Sequence, residues 1–378
     1  MQTALLNARV LTDAGLESGL AVVIESGRIA DVARANRLPD CECVDLEGGV
    51  LAPGFIDVQV NGGGGVLFND APSKETIAQI GAAHRRFGTT GFLPTLISDN
   101  LDVVAKAMTA VDAAIEAGVP GVLGVHIEGP FLNPERSGVH DAAKMRELDD
   151  AAFALLTSLK RGRTLVTLAP EMTTPEMISR LAAAGVIVSA GHTNATYEQT
   201  REAIAAGLTG FTHLFNAMSP LLARAPGVVG AALDDQDTWA SVICDGVHIA
   251  PPALRIAFRA KRHERLMLVT DAMPSVGANE KIFKLQGKTI RVLNGVCIDE
   301  SGTLAGADLD MASAVRTVVA ETDVRPHEAL RMAASTAADF LGLSNVTGRI
   351  APGLRADLVH LDDELRVRRT WIGGAPSV

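Results

Sequence analysis

Four side chains able to hold a metal ion or carry a proton stand at the ends of short apolar runs: Glu128 in GVLGVHIEGP, His192 in GVIVSAGHTN, His213 in TGFTHLFNAM and Asp271 in LMLVTDAMP. The β-branched and small residues before each read as a strand, and the polar residue falls where the strand gives way to a turn. In a parallel barrel the C-terminal strand ends converge on one face, so residues far apart in sequence share one small site. Glu128, His192 and His213 match the three imidazole and carboxylate ligands of a hydrolytic metal centre with a position left for water. Taken singly, each reads more readily as a satisfied surface or core residue; their recurrence at successive strand ends points to the metal. Asp271 is a general base beside that water or a cap of the following turn.

Such a site needs a frame of alternating elements. Residues 52–345 supply one, with strands at GFIDVQV, GFLPTLIS, VLGVHIEG, TLVTLAP, VIVSAGH, GFTHLFNA, WASVICDG and LMLVTDA. Between them lie helical stretches such as KETIAQIGAAHRRFG, LDVVAKAMTAVDAAIEAG, PEMISRLAAAG, YEQTREAIAAG and PPALRIAFRAKRH, several ending in the glycine that suits a helix C-terminus. Eight strand–helix units predict an α/β fold, a closed (β/α)8 TIM-like barrel. An open doubly wound sheet is the alternative. It would need a glycine-rich phosphate loop opening a helix, and NGGGGVLFND is followed by Pro72 and no immediate helix start. Gly62 to Gly65 therefore read as a tight turn at the barrel mouth.

Residues 1–51 and 346–378 have a different character, with short strands and turn glycines. Neither end suffices for a stable sheet unit alone, so the two are expected to combine into one small β-sandwich. Residues from about 276 to 306 read as a β-hairpin inserted after the eighth strand.

A chain of 378 residues, 47% of them hydrophobic, can bury a core of this size. A net charge of −10 argues against nucleic acid or an anionic membrane as partner. No apolar run reaches the roughly 18 residues needed to cross a bilayer, and the N-terminal stretch has no leader pattern, so a cytoplasmic protein is expected. Cys41, Cys43, Cys244 and Cys297 form no repeated metal-binding spacing and are expected as unpaired thiols.

The motifs PGFIDVQVNG, HIEGPFLNPERSGVH, SAGHTNATYEQT, THLFNAMSPL, DGVHIAPPALR and LVTDAMP, with the closing GRIAPGLRADLVHLD, resemble the amidohydrolase superfamily and, within it, the N-acetylglucosamine-6-phosphate deacetylases. The resemblance implies a metal-dependent barrel with a composite β-sandwich, usually homodimeric. It implies removal of acetate from N-acetylglucosamine 6-phosphate to give glucosamine 6-phosphate, in amino-sugar catabolism and cell-wall sugar recycling. Many relatives carry H-x-H on the first strand to hold a second metal; Gln59 and Asn61 stand there instead, and an amide is a poor ligand beside imidazole. The fourth strand also lacks a lysine to bridge two ions. One divalent ion per subunit is expected; Zn2+ suits the donors best, and Fe2+ or another divalent ion also fits.

The same resemblance gives Asp271 the proton transfers and His140 the acetyl carbonyl. It gives Arg224 and His248 the phosphate, Asn216 and the Ala217 backbone its orientation, and Leu309 a place near the substrate. Arg224 is expected to be able to come from the neighbouring subunit. The galactosamine epimer or another N-acyl substrate is the second enzymatic reading. A catalytically silent scaffold is the third, and it gives no reason for Glu128, His192, His213 and Asp271 to occur together.

Overall fold

The computed structural model describes residues 2–38 and 40–377. Eight strands run β1 (Phe55–Val60), β2 (Thr89–Ile97), β3 (Gly124–Glu128), β4 (Arg163–Leu168), β5 (Ile187–Ala190), β6 (Gly210–Phe211), β7 (Trp239–Ile243) and β8 (Leu266–Val269). Each pairs in parallel with its sequence neighbours. Every residue of β1 and β2 is buried, as strands covered on both faces require, and the polar Asp57 and Gln59 of β1 find partners inside the barrel.

The seam between β8 and β1 is joined differently. A single parallel bridge links Val60 to Ala272. Beneath it Asp57 accepts hydrogen bonds from the Thr270 hydroxyl at 2.5 Å and the Thr270 N–H at 3.4 Å. Burial pushes the Asp57 carboxyl up to about 7, against those hydrogen bonds.

Helices cover the outside at Lys74–Arg85, Leu101–Glu116, Pro175–Ala183, Tyr197–Ala205 and Pro251–Ala260, all in stretches with helical spacing. Side chains cap their starts: Ser73 accepts from Thr76 N–H, Thr174 from Met177 N–H, and Thr196 forms a capping box with Gln199. Two helices have no clear sequence signal. Asp150–Leu156 is only seven residues long, and Gly227–Asp234 is buried from Gly227 through Leu233, so it shows no polar face to set a period.

Strands from both chain ends share one six-stranded sheet. Val50–Pro53 pairs antiparallel with Leu358–Leu361 and parallel with Arg9–Thr12. A four-stranded sheet containing Gln2–Leu6 and Leu20–Glu25 packs near it, with Leu5, Val22, Leu51, Leu358 and Trp371 in one core.

After β8 the chain makes four antiparallel strands, Ile282–Leu285, Lys288–Leu293, Val296–Ile298 and Leu304–Ala307, where a single hairpin was expected. Leu285, Ile290 and Cys297 pack there against Val139 and Met273 at the barrel mouth. All four cysteines are unpaired. No described helix is long and apolar enough to cross a membrane.

Candidate metal centre and active site

Polar groups stand at or soon after the C-terminal ends of the barrel strands, and after three of them the backbone turns left-handed at a non-glycine residue. His192, His213 and Asp271 have φ of 49°, 38° and 51°, left-handed values that non-glycine residues hold only where the surroundings over-determine them. Phe215 and Ala217 follow with φ of 78° and 50°. The sixth strand therefore stops at Phe211 instead of running on through His213 as its apolar sequence suggested.

These turns bring three donor atoms together. Glu128 Oε1 lies 3.0 Å from His213 Nε2 and 3.4 Å from His192 Nε2, and the two Nε2 atoms are 3.0 Å apart. A tetrahedron drawn on metal–ligand distances of 2.0–2.1 Å has edges of about 3.3 Å, so the trio fits one divalent ion. His192 Nδ1 donates to the Arg136 carbonyl at 2.8 Å, which leaves Nε2 its lone pair. Buried His213 Nδ1 has no partner among the described residues.

The charges fit as well. Burial works to raise the Glu128 carboxyl, and its contacts with His192 and His213 overcome it, holding the group well below the ordinary carboxylate range. Burial works to lower His213, and Glu128 overcomes that and raises it. A buried carboxylate facing two imidazole nitrogens is a donor set suited to a divalent cation.

His140 makes a second, overlapping trio with Glu128 and His192, their donor atoms within 4.8 Å of one another. Its hydrogen bonds give it another task. Nδ1 accepts from the Ser98 hydroxyl at 2.8 Å and from the Ser98 N–H at 3.3 Å, so the proton sits on Nε2. Burial, with His192 beside it, pushes the ring down to about 3 and keeps it neutral. The His140 ring thus presents an N–H, whereas His213 Nε2 faces both Glu128 Oε1 and His192 Nε2 at 3.0 Å.

Asp271 Oδ1 accepts from Asn61 Nδ2 at 2.6 Å and Gln59 Nε2 at 3.2 Å, and Gln59 Nε2 also donates to Glu128 Oε1 at 3.1 Å. The amides tie the two carboxylates together from behind. Their own oxygens, Gln59 Oε1 and Asn61 Oδ1, are buried without a partner among the described residues. Burial first, then the charge of Glu128, pushes the Asp271 carboxyl up to about 6.

A cavity of about 390 Å³ opens over this cluster, lined among others by Glu128, His140, His192, His213, Asn216, Ala217, His248 and Asp271. Asn216 Nδ2 turns back to the His213 and Leu214 carbonyls. His248 Nδ1 bonds Asp245 Oδ2 at 2.6 Å. Arg224 does not line the cavity: it is exposed on the Leu222–Ala225 turn. Leu309 is buried in the main core, and Thr303, Leu304 and Gly306 of the four-stranded insertion reach the cavity instead.

Sequence reasoning missed Ser98, which sets the His140 tautomer, and Asp245, which orients His248. Asp245 carried a signal, since Asp-x-x-His is a common local pair around a turn. Ser98 is joined to His140 only by the fold.

The amidohydrolase family pattern matches residues 50–376. The N-acetylgalactosamine-6-phosphate deacetylase of Shewanella sp. (strain ANA-3) is 44% identical over 97% of this chain and 94% of its own. The N-acetylglucosamine-6-phosphate deacetylase of Haemophilus influenzae is 35% identical over 99% of both chains. The crystal structure of N-acetylglucosamine-6-phosphate deacetylase from Pasteurella multocida superposes with a TM-score of 0.97 at 34% identity, covering 100% of each chain. With its barrel, its small sheet domain and its cluster of one glutamate and histidines, the chain belongs to the metal-dependent amidohydrolase family, in the branch of the amino-sugar-phosphate deacetylases.

Proposed function

We propose that the protein hydrolyses the acetamide of N-acetylglucosamine 6-phosphate, releasing acetate and glucosamine 6-phosphate. The observation that carries this is the meeting of Glu128, His192 and His213 donor atoms beside Asp271, at the base of a cavity that also presents the neutral His140. Glu128, His192 and His213 would hold one divalent ion, with Zn2+ the best match to two imidazoles and a carboxylate and Fe2+ also suited. When bound, such an ion lowers the pKa of water and polarises an amide carbonyl.

The chain's own groups do the rest. Asp271 is anchored through Oδ1 by Asn61 and Gln59, which leaves Oδ2 for proton work. It accepts the proton of the attacking water and returns it to the sugar nitrogen, because an amine leaves poorly unprotonated. His140 Nε2–H points its donor at the oxygen where negative charge grows. Asn61 and Gln59 fill the second-metal position with amide donors, consistent with a single ion.

His248 and Asn216 line the cavity where a phosphate would dock, with the Ala217 backbone beside them. Arg224 would complete the phosphate site from a partner subunit. Its exposure on a turn beside exposed Leu221 and Leu222 supports a homodimer, and a phosphorylated amino-sugar substrate suits the cytoplasm. Leu309 acts at most through the backbone that positions Gly306.

The 44% identity to an N-acetylgalactosamine-6-phosphate deacetylase favours a second reading, the C4 epimer. Turnover of both sugar phosphates in one assay separates them. Higher kcat/KM for the gluco sugar supports the first reading, and higher kcat/KM for the galacto sugar replaces it with the second.

A further inference from the structure

Glu171 has no part in the chemistry above, yet two halves of the site meet on its carboxylate. It follows β4 in the Pro170–Met172 turn. Its Oε1 accepts from the Asn194 N–H at 2.6 Å and from Asn133 Nδ2 at 2.9 Å, and its Oε2 from the Thr193 hydroxyl at 2.5 Å. Thr193 and Asn194 form the turn directly after His192. Asn133 begins the loop that ends in His140.

Further bonds run between the same two segments. Asn133 N–H donates to the His192 carbonyl at 3.0 Å. The Arg136 carbonyl takes the His192 Nδ1 proton, and Arg136 Nε donates to Asn194 Oδ1 at 2.5 Å. Two carboxylates accept in this network: exposed Glu135 Oε2 takes Asn194 Nδ2 at 2.9 Å, while half-buried Glu171 takes three donors from both segments, and charge-assisted bonds are its strongest members. His192 itself stands at φ 49°, a conformation that lasts only while its neighbours enforce it.

We propose that Glu171 is a positioning residue. It locks the turn carrying His192 to the loop carrying His140, so that one carboxylate fixes both the aim of His192 Nε2 and the reach of His140, without touching ion or substrate. This rests on the reading of His192 as a metal ligand. Glutamine in its place keeps the volume but has one accepting oxygen and an NH2 group facing donors, so at least one of the three bonds is lost and one contact becomes repulsive.

The experiment compares the wild type, Glu171→Gln and His192→Ala. Zinc affinity is measured by chelator competition, and the His192 Nδ1 proton is followed by 15N-edited NMR in the metal-free protein. For Glu171→Gln the expected result is about 10- to 100-fold weaker zinc binding, as is usual when the support of a ligand histidine is lost, with a shifted or exchanged Nδ1 signal. A role in stability alone would lower the melting temperature and leave both readouts in place. Zinc affinity within about threefold of wild type and an unmoved Nδ1 signal overturn the proposal. If His192→Ala binds zinc as the wild type does, the ligand reading fails instead. Should Glu171→Gln not fold, Thr193→Val removes one of the three donors, and the same two readouts decide.

Discussion

Replacing Asn61 with leucine removes a donor from Asp271 and keeps the branched skeleton of four side-chain heavy atoms. The bond lost is the 2.6 Å contact from Asn61 Nδ2 to Oδ1, one of the influences that hold the Asp271 carboxyl down against burial. A hydrogen bond to a charged group contributes about 1.5–3 kcal/mol. At 1.36 kcal/mol per pKa unit, its loss raises the Asp271 pKa by about 1–2 units. A bound cation lowers the starting value, about 6 in the protein alone, in wild type and variant alike, so the difference survives. Asp271 works as a base only when ionised, so kcat/KM falls as pH drops through its pKa. The acid limb of the pH profile therefore moves about 1–2 units to higher pH in Asn61→Leu. Acetate release from pH 4.5 to 9, with metal content measured at each point, gives the limb. A limb that stays within about 0.3 units at full metal occupancy would refute the tuning of Asp271 by Asn61.

Asp271→Asn keeps fold and metal and lowers kcat by at least 10²-fold, the usual scale for losing general acid–base catalysis; elemental analysis and turnover on one sample check it. Asp57 is raised from 3.8 to about 7 by burial at the barrel seam, so its protonated form stabilises the fold. That stability is full below the unfolded pKa and is lost as pH rises through about 7. Urea unfolding should accordingly show Asp57→Asn gaining about 3 kcal/mol relative to wild type between pH 4.5 and 7.5, and a constant difference would contradict the protonated carboxyl. Arg224→Ala should raise KM for the phosphorylated sugar at least tenfold with little change in kcat, and an unaltered preference over the unphosphorylated sugar would remove Arg224 from the phosphate site.

The barrel was legible because each strand is buried on both faces and breaks off at a polar residue. FIDVQV, GVHIE and LMLV read as apolar runs, and Glu128 and Asp271 mark where they stop. That Glu128, His192, His213 and Asp271 meet was legible for the same reason, since barrel topology alone brings strand ends to one face. What joins residues across the fold was not. Ser98 meets His140 from another strand, Asp57 reaches Thr270 across the seam, and Glu171 gathers donors from two loops. None of these pairs has a spacing to read. The sixth strand looked longer than it is, because Leu214 and Phe215 extend its apolar look while the backbone turns left-handed at His213, Phe215 and Ala217. Leu309 and Arg224 depend on loop direction, and in this chain neither lines the cavity.

The most direct measurement is acetate release from N-acetylglucosamine 6-phosphate by the purified protein, with metal content determined on the same sample before and after chelation. The account predicts turnover with one divalent ion per chain, its loss when the ion is removed, and its return when zinc is added back. Undiminished turnover after removal of the ion, or a fully loaded protein that releases no acetate from either epimer, would contradict it.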